Sequence, residues 1–119
     1  MAFPGIYTTC NFGKYNFIDG GTKDNLPVKV LKDMGAQKVI ALSFDLTHYV
    51  PSDNIMNIIL RAVDIFSLKD VREAQRMADI AIEIRNDDTT LLQTDNLEKC
   101  FKIGYDTIMS HKEELEKLK

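Results

Sequence analysis

The chain has no tryptophan, only two histidines (His48 and His111), two cysteines (Cys10 and Cys100) and three prolines, and no excess of basic charge. Each scarcity closes a class of function. Two histidines are too few for a His-based metal cluster, and the two cysteines lack the short spacing of a zinc or redox motif. No metal and no cofactor are therefore expected. Cys10 and Cys100 read as reduced thiols of a cytoplasmic protein, not as a disulfide. With 15 basic against 18 acidic residues and a net charge of −3, there is no electrostatic footprint for nucleic acid. No run approaches the roughly 18 to 20 apolar residues that cross a membrane. The start shows no basic–apolar–small leader pattern.

What is present is an ordinary globular composition, 45% apolar and 28% charged. Its 119 residues make one domain, with a core that can bury roughly two-thirds of the unfolded surface. Residues 1–14 read as an irregular apolar segment with a turn at Pro4-Gly5, and Asn11 to Lys14 as a tight turn before a strand at Tyr15–Ile18. Phe3, Ile6, Tyr7 and Phe12 are large and apolar, and they call for cover from elsewhere. Pro27 suits a first helical turn with Asn25 as its cap. Val28, Leu31 and Met34 follow at helical spacing, and Gly35 ends the helix. Lys38 to Leu42 is a continuous apolar run of the kind buried on both sheet faces. Strand, helix, strand in that order predicts a parallel crossover.

Phe44 to Pro51 reads as a loop. Ser52 or Asp53 then caps a helix over Asn54–Leu68, with Ile55, Ile58, Ile59, Ala62, Val63 and Phe66 on one face and Met56, Leu60 and Ile65 widening it. That width predicts burial on more than one side. Asp70–Met77 is a second helix or a continuation of the first. Ala78–Ile84 alternates as a strand. Arg85–Thr94 is a polar loop, and Asp95 with Glu98 opens a last helix striped by Leu97, Phe101, Tyr105 and Ile108. The end, about 111–119, is a charged helical tail with Glu113 four residues before Lys117. The expected fold is α/β: a partial three-layer doubly wound sandwich with a short, mainly parallel sheet flanked by helices.

The chemistry-bearing stretch is Asp19-Gly20-Gly21. An acid at the carboxyl end of a strand sits where open α/β sheets place their sites. Two glycines would open backbone angles closed to other residues, and the carboxylate could take a proton from a nucleophile. Asp and Gly are also ordinary turn residues, and spacing alone leaves both readings open. Asp24 and Asn25 do not complete a calcium loop with Asp19. Asn25 reads as a cap or a brace for the turn. Ser43 and His48 suggest a triad, but Ser43 lacks a glycine-flanked elbow. Cys100 reads as core packing, Glu83 as a solvent-facing or strand-end position, and Asp87-Asp88 as a solvated loop.

The pieces Pro4-Gly5-Ile6-Tyr7, Phe17-Ile18-Asp19-Gly20-Gly21, Asn25-Leu26-Pro27-Val28, Met34-Gly35-Ala36 and Val39-Ile40-Ala41-Leu42 occur in that order. Together with Ala78-Asp79-Ile80 and Ile103-Gly104-Tyr105, they resemble the C-terminal part of patatin-like phospholipases. The resemblance implies a serine acyl hydrolase with a Ser–Asp dyad. Asp19 stands at the dyad acid's position, and Gly20, Gly21, Asn25 and Pro27 shape the site. The family's Gly-x-Ser-x-Gly elbow and Gly-rich oxyanion loop are absent from this sequence. An acyl substrate needs both a nucleophile and preorganised donors. The expectation is a C-terminal portion of such a domain, inactive alone, which would take a lipid or ester only when completed by the missing half. A stand-alone, non-catalytic α/β association module is the alternative. Either one exposes a sheet edge and an apolar N-terminal segment, and so predicts a homo-oligomer.

Overall fold

A glycine sets the first element. Gly13 has φ +59° at the first position of a two-residue loop, the pattern of a type II′ hairpin. It joins β1 (Cys10–Phe12) to β2 (Tyr15–Phe17), which pair antiparallel with Phe12 opposite Tyr15 and Cys10 opposite Phe17. The structure, a computed structural model, describes residues 2, 7–45, 54–85 and 96–118. The segment expected to be irregular therefore contains a strand, and the expected Asn11–Lys14 turn narrows to Gly13-Lys14.

This hairpin corrects the predicted topology. Among the described residues β2 pairs with β1 and does not join the sheet that follows α1. The parallel crossover lies later. It runs from β3 (Ile40–Phe44) through α2 (Ile55–Met77) to β4 (Ile80–Ile84), with Ile40 opposite Ile80 and Phe44 opposite Ile84. The fold is α/β, a short parallel sheet flanked by helices. Ser43, expected just beyond the strand, belongs to β3, and so does Phe44, expected to open the loop.

Helix ends follow local chemistry. α1 (Val28–Asp33) has Pro27 at its cap position without a side-chain cap. The Val28 N–H instead reaches the Leu26 carbonyl at 2.8 Å, a tight three-residue turn about Pro27. Asn25 therefore does not cap this helix. The other end is as read from the sequence. Gly35 takes φ +98°, its N–H bonds the Lys32 carbonyl, and the Ala36 N–H bonds the Leu31 carbonyl. That pair of bonds is the Schellman arrangement. In α2 the cap is Asn54, whose Oδ1 accepts the Met56 N–H at 2.8 Å; Ser52 and Asp53 lie outside the described residues. The helix runs unbroken to Met77, joining the two stretches that could have been separate. The last helix, α3 (Leu97–Ser110), starts at Asn96 without a side-chain cap. Asp95, expected to open it, lies outside the described residues. His111 separates α3 from α4 (Lys112–Glu116), where Lys112 pairs with Glu116 at 4.0 Å.

The main core cluster lies on one face of the sheet. Val28, Val39 and Ala41 are buried together, with Leu26, Ala74, Met77 and Ala78 packed on them. Gln75 on α2 donates to Ser43 Oγ at 2.8 Å and approaches Glu83 Oε1 at 3.5 Å, so the row Ala41, Ser43, Ala81, Glu83 faces α2. The alternate row points the other way. There α3 lies against β4, and Ile82 is 1% exposed. On β3 the same row, Ile40, Leu42 and Phe44, is 48%, 50% and 64% exposed. The expectation of a strand buried on both faces holds for one face only, because no described element covers β3 on the α3 side. Leu31 and Met34 on α1 are likewise exposed.

One carboxylate ties the layers together. Asp79, between α2 and β4, accepts the Val39 N–H on Oδ2 at 2.9 Å, while its own N–H donates to the Val39 carbonyl at 2.9 Å. Lys32 of α1 stands 3.6 Å from the same oxygen. The Val39 N–H first, and then Lys32 and Lys38, hold the Asp79 carboxyl below its ordinary value against the opposing effect of desolvation. A carboxyl with a lowered folded pKa stabilises the fold above its unfolded value, about 3.9, and that contribution is lost as pH falls through the folded value. Asp79→Asn, which keeps an acceptor but removes the charge, is expected to lower the urea midpoint at neutral pH. The gap from the parent should close as the pH drops below about 4. A gap of constant size down to acid pH would show that Asp79 acts by shape alone.

Candidate functional site

Asp19 follows β2 and heads a single 3-10 turn, Gly20–Thr22. Its backbone N–H donates to the Ala2 carbonyl at 3.1 Å. Its Oδ1 accepts the Gly21 N–H at 2.9 Å. The Thr22 hydroxyl donates back to the Asp19 carbonyl at 2.7 Å, and the Thr22 N–H donates to the same oxygen at 3.2 Å. The carboxylate is thus held by one oxygen, and Oδ2 takes no hydrogen bond from the described residues. The side chain is half-buried. It borders an open cavity of about 320 Å³ lined by Ala2, Cys10, Phe17, Ile18, Asp19 and Gly20. Walls of this composition suit an apolar group beside a single acid.

The two glycines act differently from the sequence expectation. Among the described residues only Gly13 and Gly35 have positive φ, so neither Gly20 nor Gly21 is present for a forbidden backbone angle. Gly21 is needed for space. A Cβ there would stand 3.2 Å from Asp19 Oδ1 and 3.2 Å from Asn25 Oδ1. The close approach that lets the Gly21 N–H reach the carboxylate leaves no room for a methyl group. At Gly20 a Cβ would meet nothing within 4 Å. Asn25, expected as a cap or a brace, therefore stands beside the Asp-Gly-Gly turn, and Pro27 sets the entry to α1 behind it.

The other candidates are not brought to Asp19. Asp24 Oδ1 accepts the Leu26 N–H at 3.2 Å, a local turn contact. Ser43 is engaged with Gln75 on the α2 side of the sheet. His48, Asp87 and Asp88 lie outside the described residues. Cys10 and Cys100 are not joined in a disulfide; Cys10 is exposed and shares the cavity with Asp19, and Cys100 is half-buried on α3. Glu83 is exposed, as expected for its position. Asp64, whose carboxyl is pushed up by burial with Arg61 opposing, belongs to α2. Among the described residues no group of three or more His, Cys, Asp or Glu could hold a metal ion, and no helix is long and apolar enough to cross a membrane. The residue that sequence reasoning undervalued is Asp79. Its signal was an acid directly before an alternating strand, at the turn where a helix delivers the chain to the sheet.

No known protein-family model matches the chain.

The asymmetry between the glycines is directly testable. Gly20→Ala is expected to leave stability within about 0.5 kcal/mol of the parent, the range of an unobstructed surface change. Gly21→Ala should cost about 1 kcal/mol or more, because it displaces the Asp19 carboxylate from its hydrogen bond. Urea denaturation of both variants measures the difference, and equal effects would remove the packing explanation for Gly21.

Proposed function

We propose that this chain supplies the acid half of a Ser–Asp acyl hydrolase of the patatin-like kind, acting on a lipid or another ester. The observation that carries the reading is the state of Asp19. One carboxylate oxygen is fixed by the Gly21 N–H, and the other is left without a hydrogen bond from the described residues, at the mouth of a cavity lined by Phe17 and Ile18. A general base must be both oriented and free to accept a proton, and this arrangement meets both needs. In the proposed reaction a serine hydroxyl gives its proton to the free oxygen of Asp19 as its Oγ attacks the acyl carbonyl. The alcohol or lysolipid leaves with a proton returned from the acid. Water then releases the acyl group by the same transfer in reverse order.

The chain holds no Gly-x-Ser-x-Gly, so the nucleophile and the donors for the oxyanion would come from a second segment. The apolar residues left in solvent favour such a complement. Phe12, Tyr15, Phe17 and Ile18 on the hairpin are all exposed, as is the outward row of β3. An isolated two-stranded hairpin is marginal in water unless something packs on it. The same exposure favours the alternative, a non-catalytic α/β module that works by association. Asp19 distinguishes the two.

The chain alone is expected neither to hydrolyse p-nitrophenyl esters or phospholipid nor to react with a fluorophosphonate. Co-expressed with a segment encoded upstream that carries Gly-x-Ser-x-Gly, it should give an active hydrolase. Asp19→Asn should lower kcat on the order of 10² to 10⁴-fold, the usual weight of a general base. Labelling of the isolated chain at Ser43, or a reconstituted activity indifferent to Asp19→Asn, would reject the dyad role.

A further inference from the structure

The N-terminal half of α2 carries an exposed apolar seam. Leu60 and Val71 are the buried residues of this helix. Roughly opposite them around the helix, at 100° per residue, run Ile55, Ile59, Ala62 and Phe66, flanked by Ile58 and Ile65. Phe66 is 81% exposed, Ile55 69%, and the other isoleucines about half or slightly more. The spacing of the four central positions alternates four, three and four residues, which is the a/d pattern of a helix that packs on another helix. The pattern then stops. The next two seam positions are Lys69 and Glu73, both exposed.

We propose that this seam is a homodimer interface, in which α2 of two copies pairs antiparallel about a two-fold axis between Ile59 and Ala62. Three observations select a second copy in this orientation. The seam is self-complementary when reversed: Ile55 of one copy meets Phe66 of the other, and Ile59 meets Ala62, a large residue against a small one. An isologous contact needs this property. Charge excludes the parallel arrangement, which would set Lys69 against Lys69 and Glu73 against Glu73 in the seam; reversal carries both beyond the apolar overlap. The area is sufficient. The six side chains expose on the order of 500 Å² per copy, so a dimer covers about the 1,000 Å² that a specific interface needs. The seam leaves the hairpin, Asp19 and the β3 edge uncovered, and it does not depend on the proposed activity.

The full chain is expected to sediment as a dimer at micromolar concentration. Ile59→Glu should weaken that dimer by at least about 100-fold, since each copy then buries a charge without a partner, with helix content by circular dichroism unchanged. Phe101→Glu, on the exposed stripe of α3, should leave the dimer intact. In a background of Cys10→Ser and Cys100→Ser, mixing Ile59→Cys protein with Ala62→Cys protein should give the mixed disulfide in preference to either self-pair. A monomeric parent overturns the proposal. So does a dimer that survives Ile59→Glu, or cross-linking of Ile59→Cys mainly to itself, which is the mark of parallel pairing.

Discussion

The parallel sheet depends on the exchange between Asp79 and Val39. A parallel pair is built from slanted bonds with no hairpin to set its register, so something at its start must fix which residue meets which. Here the Asp79 side chain takes the Val39 N–H while its main chain gives a hydrogen to the Val39 carbonyl. Val39 is clamped from both of its polar groups one residue before β3 begins. The register Ile40 to Ile80 follows directly, and with it the placement of Ala41 toward α2 and of Ile80 and Ile82 toward α3. A slip by one residue would reverse both rows, exposing Ile82 and burying Glu83. Lys32 adds α1 to the same oxygen, so helix, strand and crossover meet at one carboxylate that sits at the surface, where its charge costs little to keep.

The elements legible in the sequence were those with strong local grammar. Gly35 ends α1 through the αL geometry that glycine accepts most readily, and the alternating run after Asp79 is a strand because its apolar positions fall on one face. The elements that were misread share a different cause: their local pattern was correct, but the partner was not encoded locally. Tyr15–Phe17 reads as a strand, and it is one, yet nothing in those residues says whether it joins β1 or β3. Gly13 decides it by turning the chain back tightly enough for Cys10–Phe12 to pair. The periodic face of α2 was visible, but periodicity reports only that a face is apolar. Leu60 and Val71, outside the main stripe, are the most buried residues of this helix, and Ala74 and Met77 pack on the core.

The Asp19 turn shows the same limit at finer scale. Asp-Gly-Gly announces a sharp turn, and the identity of the residues was enough to single it out. Which property of glycine was in use was not legible, because absence of a Cβ serves both conformational freedom and close approach. The structure separates them. Gly21 lies where the Asp19 carboxylate and the Asn25 amide converge, whereas Gly20 faces open space. The spatial proximity of Asn25, four positions beyond Gly21, comes with the 3-10 turn at Gly20–Thr22, where the Lys23 and Asp24 N–H groups fold back on the Gly20 carbonyl, a feature too short for periodicity to reveal.

The exposed apolar surface and the half-held carboxylate belong to one physical picture. A chain whose buried side chains among the described residues are few, Val28, Val39 and Ala41 on one side of a two-stranded sheet, Ile80 and Ile82 on the other, with Ala2, Leu60 and Val71 beyond it, gains little from burial by itself. The rows left outside are not scattered; they form continuous faces on the hairpin, on β3 and on α2, and contiguous apolar faces mark surfaces that other protein covers. Asp19 lies at the border of the hairpin face, with one oxygen fixed by the Gly21 N–H and the other without a hydrogen bond from the described residues. In the proposed complex, a partner seated on the hairpin would exclude water from that oxygen and strengthen any hydrogen bond a serine offers it. Association and activation would then be the same event. The surface that looks unfinished is what would make the acid competent when it is covered.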